Sequence, residues 1–212
     1  MTGLCIVAFA VFLCAARQAK ALILQVACEA TPLVSVVAEH HPPDVRSSYT
    51  LGQLRALAAQ AGHEGRHPPL GFYAGTFGYS VDVQEQGVNQ TGCSKSLRVV
   101  LRMFIGARLV EVGSGGPCHP EAVASHYMLH AQDDDRLLSH YAAKATAMLD
   151  GLSQAGSLSG ASQESRQTVE RRVVKAMDAL LGPYDADRKQ ALTTADTDDE
   201  LAQLRQACGR TI

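Results

Sequence analysis

The sequence predicts an α+β fold: a small, mainly antiparallel sheet packed on a long helix, with a helical C-terminal extension. Three observations point there. β-branched, partly alternating segments recur between residues 33 and 112. A helical apolar stripe then begins near Pro120 and continues for about nine turns. A second amphipathic stripe follows a segment rich in Gly, Ser, Ala and Gln at residues 151–163.

Taken in order, residues 33–39 (Leu-Val-Ser-Val-Val-Ala-Glu) read as a strand that His40-His41-Pro42-Pro43 ends. Thr50-Leu51-Gly52-Gln53 fits a capping box, in which the Thr hydroxyl accepts from a backbone N–H while Gln53 reaches back. Leu51, Leu54, Leu57, Ala58 and Ala61 form the stripe of the helix it opens, and Gly62 stops it. Residues 70–84 are expected to be extended. Residues 97–105 and 107–112 read as consecutive strands on either side of Gly106, and 113–117 as a loop. Pro120 suits the first turn of the long helix, which is expected to reach about Leu152, with Asp133-Asp134-Asp135 as the place for a kink. Residues 164–181 form the next helix, and Thr197-Asp198-Asp199-Glu200 caps a short last one ending near Ala207. The domain plan is a core at 22–152, a linker at 153–163 and an extension at 164–212.

The first 21 residues stand apart. Residues 3–16 are apolar but shorter than the roughly 20 residues a membrane span needs, and Ala19-Lys20-Ala21 offers a cleavage site. A secretory signal at 1–21 is expected, with an uncleaved anchor as the rival. The expected location is therefore secreted or periplasmic, with no membrane span after cleavage. Charge is almost balanced, at 19 basic against 21 acidic side chains, and no basic block stands out, so nucleic acid is not an expected partner. Cys28, Cys93, Cys118 and Cys208 remain after cleavage, an even number with three possible pairings. The expected pairing is Cys93–Cys118, closing a loop of moderate length, and Cys28–Cys208, tying the termini.

Two histidine pairs carry the functional question. His63-Glu64-Gly65-Arg66-His67 matches the HExxH zinc-protease string. That chemistry needs a helix: two imidazoles four residues apart lie about 40° apart in rotation and about 6 Å apart along the axis, and the Glu handles the attacking water. Gly62, Gly65 and Pro68-Pro69 disfavour a helix there, so an exposed polar loop is expected. His126-Tyr127-Met128-Leu129-His130 has the same spacing on an expected helix but lacks the Glu. Two His make an incomplete zinc site, for which Glu111 or His119 are candidate third ligands converging from other elements; His140 is a poor one, and Asp133 or Asp134 share the face but would need a break in the helix. The alternative is a partly buried, hydrogen-bonded pair facing the sheet. Asp133-Asp134-Asp135 lacks the alternation of a calcium loop and reads as a solvated turn.

Cys93, two strands, Cys118 and then His-x-x-x-His on a helix resemble a group of uncharacterised secreted bacterial proteins. In that group a zincin-like HExxH helix follows a Cys-bounded strand pair. The resemblance covers roughly residues 30–150 and is one of layout. It implies that His126 and His130 occupy metal-ligand positions, for zinc, and that Tyr127 stands where the catalytic Glu belongs. A phenol with an ordinary pKa near 10 is a poor general base at neutral pH. The expectation is a secreted or periplasmic protein on a degenerate zincin-like scaffold, without peptidase activity and with a structural or binding role. A metal-dependent hydrolase using Glu111 or Glu121 as base, and a protein-interaction module without metal, are the alternatives.

Overall fold

The computed structural model describes residues 32–60, 69–86, 96–116, 118–158 and 163–195, together with Ala202, Leu204, Gln206 and Cys208. The signal segment at 1–21, the His63–His67 string, Cys28, Cys93 and the Thr197–Glu200 capping box lie outside the described residues. Among those described, the fold is α+β, with three helices and an open four-stranded sheet. The strands are β1 (Leu33–Glu39), β2 (Asp44–Arg46), β3 (Gly71–Gln86) and β4 (Ser96–Val112); the helices are α1 (Leu51–Gln60), α2 (Pro120–Gln154) and α3 (Gln163–Ala195).

The sheet runs β1-β4-β2, with β3 also pairing with β4. β2 lies parallel to β4, with Asp44 opposite Leu109, Val45 opposite Val110 and Arg46 opposite Glu111. This corrects the expectation of a mainly antiparallel sheet. The reason is the connection: a parallel pair needs a long crossover, and here α1 and β3 both intervene between β2 and β4. Three residues directly after Pro42-Pro43 are too few to show a period, so β2 left no pattern to read.

The strands expected on either side of Gly106 form one continuous strand. Ala107 sits in it at φ 49°, a left-handed conformation that a non-glycine residue adopts rarely. Before it the buried positions are Leu97, Val99, Val100, Leu101, Met103 and Ile105; after it they are Arg108, Val110, Glu111 and Val112, so the alternation does not carry through Ala107 and Arg108 is buried.

α1 begins as its residues dictate. Thr50 N donates to Gln53 Oε1 at 2.8 Å and Gln53 N donates to Thr50 Oγ1 at 3.3 Å, the reciprocal bonds of a capping box. α2 runs as one continuous helix through Asp133-Asp134-Asp135, so this triplet is not a turn. α3 continues past Gly182-Pro183 instead of stopping near residue 181. An internal proline costs about 3 kcal/mol of helix stability. Tertiary contacts made just beyond it, by Tyr184 and Arg188, offset that cost.

The chain divides into two compact units assembled from alternating segments. The first takes in the described residues 32–35, 81–86, 96–100, 148–158 and 163–174, and buries Val83, Leu97, Val99, Leu149, Leu158, Val169 and Val173. The second takes in 36–80, 101–147 and 175–212, as far as these are described, and holds every side chain considered below. No helix among the described residues is long and apolar enough to cross a membrane.

Candidate functional site

Within the second unit, the inner face of α2 carries Val123, His126, His130, Asp134, Leu138, Tyr141 and Ala145, all buried. These recur at helical spacing, so one stripe is apolar at its ends and polar in the middle. His126 and His130 lie on this face, as their spacing predicted, with ring centroids 5.4 Å apart and planes at 86°. His130 is flanked by two phenols. The Tyr73 ring lies parallel to it at 6.2 Å, and the Tyr127 ring stacks at 5.8 Å. Tyr127, the residue in the position of a catalytic Glu, is thus an aromatic neighbour of both histidines, and it meets His126 edge-on at 5.0 Å.

β3 reaches this face through two glycines. A Cβ at Gly71 would collide with Glu111 O and the Tyr127 ring. A Cβ at Gly75 would lie 2.7 Å from the Tyr73 hydroxyl and 3.2 Å from Asp134 Oδ2. Close approach of strand and helix therefore requires glycine at both positions.

Asp134 is the polar centre. Its carboxylate accepts from the Tyr73 hydroxyl at 2.7 Å and from Arg188 Nε and Nη2 at 2.6 and 2.9 Å. Arg188 Nη2 also donates to Gly75 O at 2.9 Å, so one guanidinium joins α3, α2 and β3. Burial, the hydrogen bond to Asp134 and the charge of that carboxylate together push Tyr73 up to about 12. Hydrogen bonding to Asp134 raises Arg188 further above its already high value, against the opposing effect of burial.

Asp135 anchors a second network. Arg108, its side chain 3% exposed, donates Nη1 to Asp135 Oδ1 at 2.9 Å and Nη2 to Oδ2 at 3.0 Å. It also donates to the carbonyls of His41 and Ala131. His40 Nδ1 meets the same carboxylate at 2.9 Å. Burial alone would raise Asp135, but the hydrogen bonds and charges of Arg108 and His40 hold it below the usual carboxylate range. The solvated turn expected at Asp133-Asp134-Asp135 is therefore corrected. Asp133 pairs with Arg136 of the same helix at 3.0 Å, Asp134 is buried, and Asp135, its side chain 37% exposed, is held by Arg108 and His40.

Glu111 is buried to 1% exposure, and its Oε1 accepts from the backbone amides of Ser48 and, at 3.0 Å, Tyr49. It holds the turn between β2 and α1, which Ser114 N also joins by donating to Tyr49 O at 2.9 Å. His119 is exposed and gives its carbonyl to the first turn of α2. His140 is exposed as well, its ring against Tyr141. Among the described residues, no group of three His, Cys, Asp or Glu side chains is arranged to hold a metal ion. The described side chains thus do not form a three-ligand zinc centre.

Cys118 is bonded to Cys208, with the two Cα atoms 4.2 Å apart. Each cysteine forms one bond, so this pair replaces both expected pairings, Cys93–Cys118 and Cys28–Cys208. A groove of about 750 Å³ lies between α2 and α3, lined in part by Gln132, Asp133, Arg136, His140, Asp187 and Gln190. Neither His126 nor His130 lines it.

Sequence reading missed Tyr73, Arg108 and Arg188. Asp134 was placed on the histidine face by its spacing, four residues after His130 and eight after His126, but as a ligand needing a helix break and not as the acceptor it is. Its partners come from elements whose pairing no local pattern reveals. In comparisons with protein families, curated proteins and solved structures, the chain matches none.

Proposed function

We propose that this is a secreted or periplasmic protein on a degenerate zincin-like scaffold, acting in a structural or binding role and not as a peptidase. The observation that carries the reading is the engagement of the side chains a hydrolase would need. Asp134 is held by Tyr73 and Arg188, Glu111 by two backbone amides, and His130 by stacked phenols. A phenol stands where the general base belongs, and a neutral phenol does not accept the proton of an attacking water at neutral pH. In this reading the His126–His130–Asp134 stripe is a polar core that fixes how α2, α3 and β3 meet. The Cys118–Cys208 bond supports an oxidising compartment.

The test is hydrolysis of a mixed peptide library by the full chain with added zinc, beside His126→Ala. The expected result is no zinc-dependent cleavage by either protein. Cleavage by the wild type that His126→Ala abolishes would overturn the reading.

A further inference from the structure

β1 ends at Glu39 and β2 begins at Asp44, and the connection between them closes with Pro42-Pro43. Neither proline has a backbone N–H to donate, which gives side-chain contacts a larger share in holding this segment. Arg108 Nη1 donates to His41 O, a contact made by a group that stays protonated at any pH near neutral. The His40 ring makes a second contact, on α2. Its Nδ1 lies 2.9 Å from Asp135 Oδ1 and its Nε2 3.4 Å from Ser139 Oγ.

Both of these neighbours are acceptors. The Asp135 carboxylate has no proton to give near neutral pH, and Ser139 Oγ gives its own to the Asp135 carbonyl one turn back, at 2.9 Å. A neutral imidazole donates from one nitrogen and so satisfies one of the two. The imidazolium donates from both. We propose that His40 is a pH-operated clasp, closed in its imidazolium form, that fastens the β1–β2 connection to α2. An ordinary imidazole takes up its second proton a little below neutrality, so the clasp closes as the medium acidifies from about pH 7.5 to pH 5.5. As pH rises through the same range, one of the two hydrogen bonds goes, together with the attraction between the ring and the carboxylate.

Among the described residues, the charged groups paired around His40 are Asp135 from α2, Arg108 from β4 on the same carboxylate, and Glu39 at the end of β1. Glu39 lies 3.8 Å from both Arg102 of β4 and His41. Carboxylates and guanidinium groups ordinarily keep their charges between pH 5.5 and 7.5, and imidazoles do not. His41 is therefore the other member that titrates, and it is kept in every variant below. The His40 and Asp135 side chains are 43% and 37% exposed, which sets a modest size for the effect. This inference does not depend on whether His126 and His130 bind metal.

The test is amide hydrogen exchange of Asp44, Val45 and Arg46 in the full chain at pH 5.5 and 7.5, each rate divided by that of an unprotected amide at the same pH. Wild-type protection is expected to be about threefold higher at pH 5.5. His40→Asn places an uncharged donor at the Nδ1 position at either pH, and its protection is expected to be equal at the two. Ser139→Ala keeps Asp135 but removes the second acceptor, and its response is expected to fall between those of the other two proteins. Equal wild-type protection at both pH values overturns the clasp, and so does a His40→Asn response as large as the wild type's. A Ser139→Ala response equal to the wild type's overturns the two-acceptor geometry on which it rests.

Discussion

Asp133 and Asp134 are adjacent in sequence, and each meets an arginine, yet they lie on different faces of α2, about 100° apart. Asp133 faces outward and pairs with Arg136 one turn along the same helix, at 3.0 Å, with the arginine side chain 66% exposed. Asp134 faces inward at 1% exposure and takes Arg188 from another helix at 2.6 Å, with Tyr73 from a strand. The distances are similar, but the energetics are not. Water screens the outer pair and solvates either partner alone, so the pair is worth little. In the inner pair the Asp134 carboxylate is buried and the Arg188 side chain is only 21% exposed, so removing the arginine leaves the carboxylate away from water without its partner. The inner pair also joins three elements, whereas the outer one joins a helix to itself.

Breaking the inner pair gives the largest expected effect. Arg188→Met leaves the Asp134 carboxylate buried with only the Tyr73 hydroxyl, and is expected to cost about 3–5 kcal/mol in urea unfolding. Adding Asp134→Leu to Arg188→Met should recover part of that loss, because the uncompensated charge goes with it. If Arg188→Met unfolds at the wild-type midpoint, the inner pair is no stronger than the outer one.

Glu111→Gln comes next. Glu111 accepts from the amides of Ser48 and Tyr49 as a charged group, and replacing the carboxylate by an amide is expected to cost about 1.5–3 kcal/mol. Amide exchange of residues 48–50 should accelerate in step with that loss. Equal exchange in both proteins would mean that Glu111 does not hold this turn.

Asp135 sharpens the contrast through pH. Its carboxyl lies below the usual range when folded, so the unfolded chain takes up the proton first. The stability it contributes is present above the ordinary carboxylate pKa and disappears as pH falls through the lowered value. Urea unfolding followed from about pH 5 to pH 3 should therefore show a steeper loss in the wild type than in Asp135→Asn. Identical slopes would contradict the pairing with Arg108. At the alkaline end Tyr73 and Tyr141, both raised to about 12, and Tyr184, raised further by burial, should ionise last in an absorbance titration. Arg136→Ala closes the series, with an expected change of under about 0.5 kcal/mol.

What the sequence revealed divides along the same line. The capping box at Thr50, the start of α2 at Pro120 and the strand at Leu33–Glu39 depend on neighbours a few residues away, and they were legible. The shared face of His126 and His130 was legible too, because helical spacing alone fixes it. Arg108 was not, since the alternation of β4 does not carry through Ala107, whose left-handed backbone the sequence does not announce. Arg188 was hidden behind Gly182-Pro183, a dipeptide that locally ends a helix and here does not. The parallel placement of β2 and the Cys118–Cys208 bond join residues 65 and 90 positions apart, and contacts at that range leave no local trace.

The central claim is that His126, His130 and Asp134 form a polar core and not a metal centre. The most direct measurement is the thermal midpoint of the full chain with and without excess zinc, for the wild type and His130→Ala. A metal that binds the native state alone raises the midpoint by mass action. The account predicts no zinc-dependent rise in the wild type, and a lower midpoint for His130→Ala that zinc does not change. A rise in the wild type that disappears in His130→Ala would contradict it.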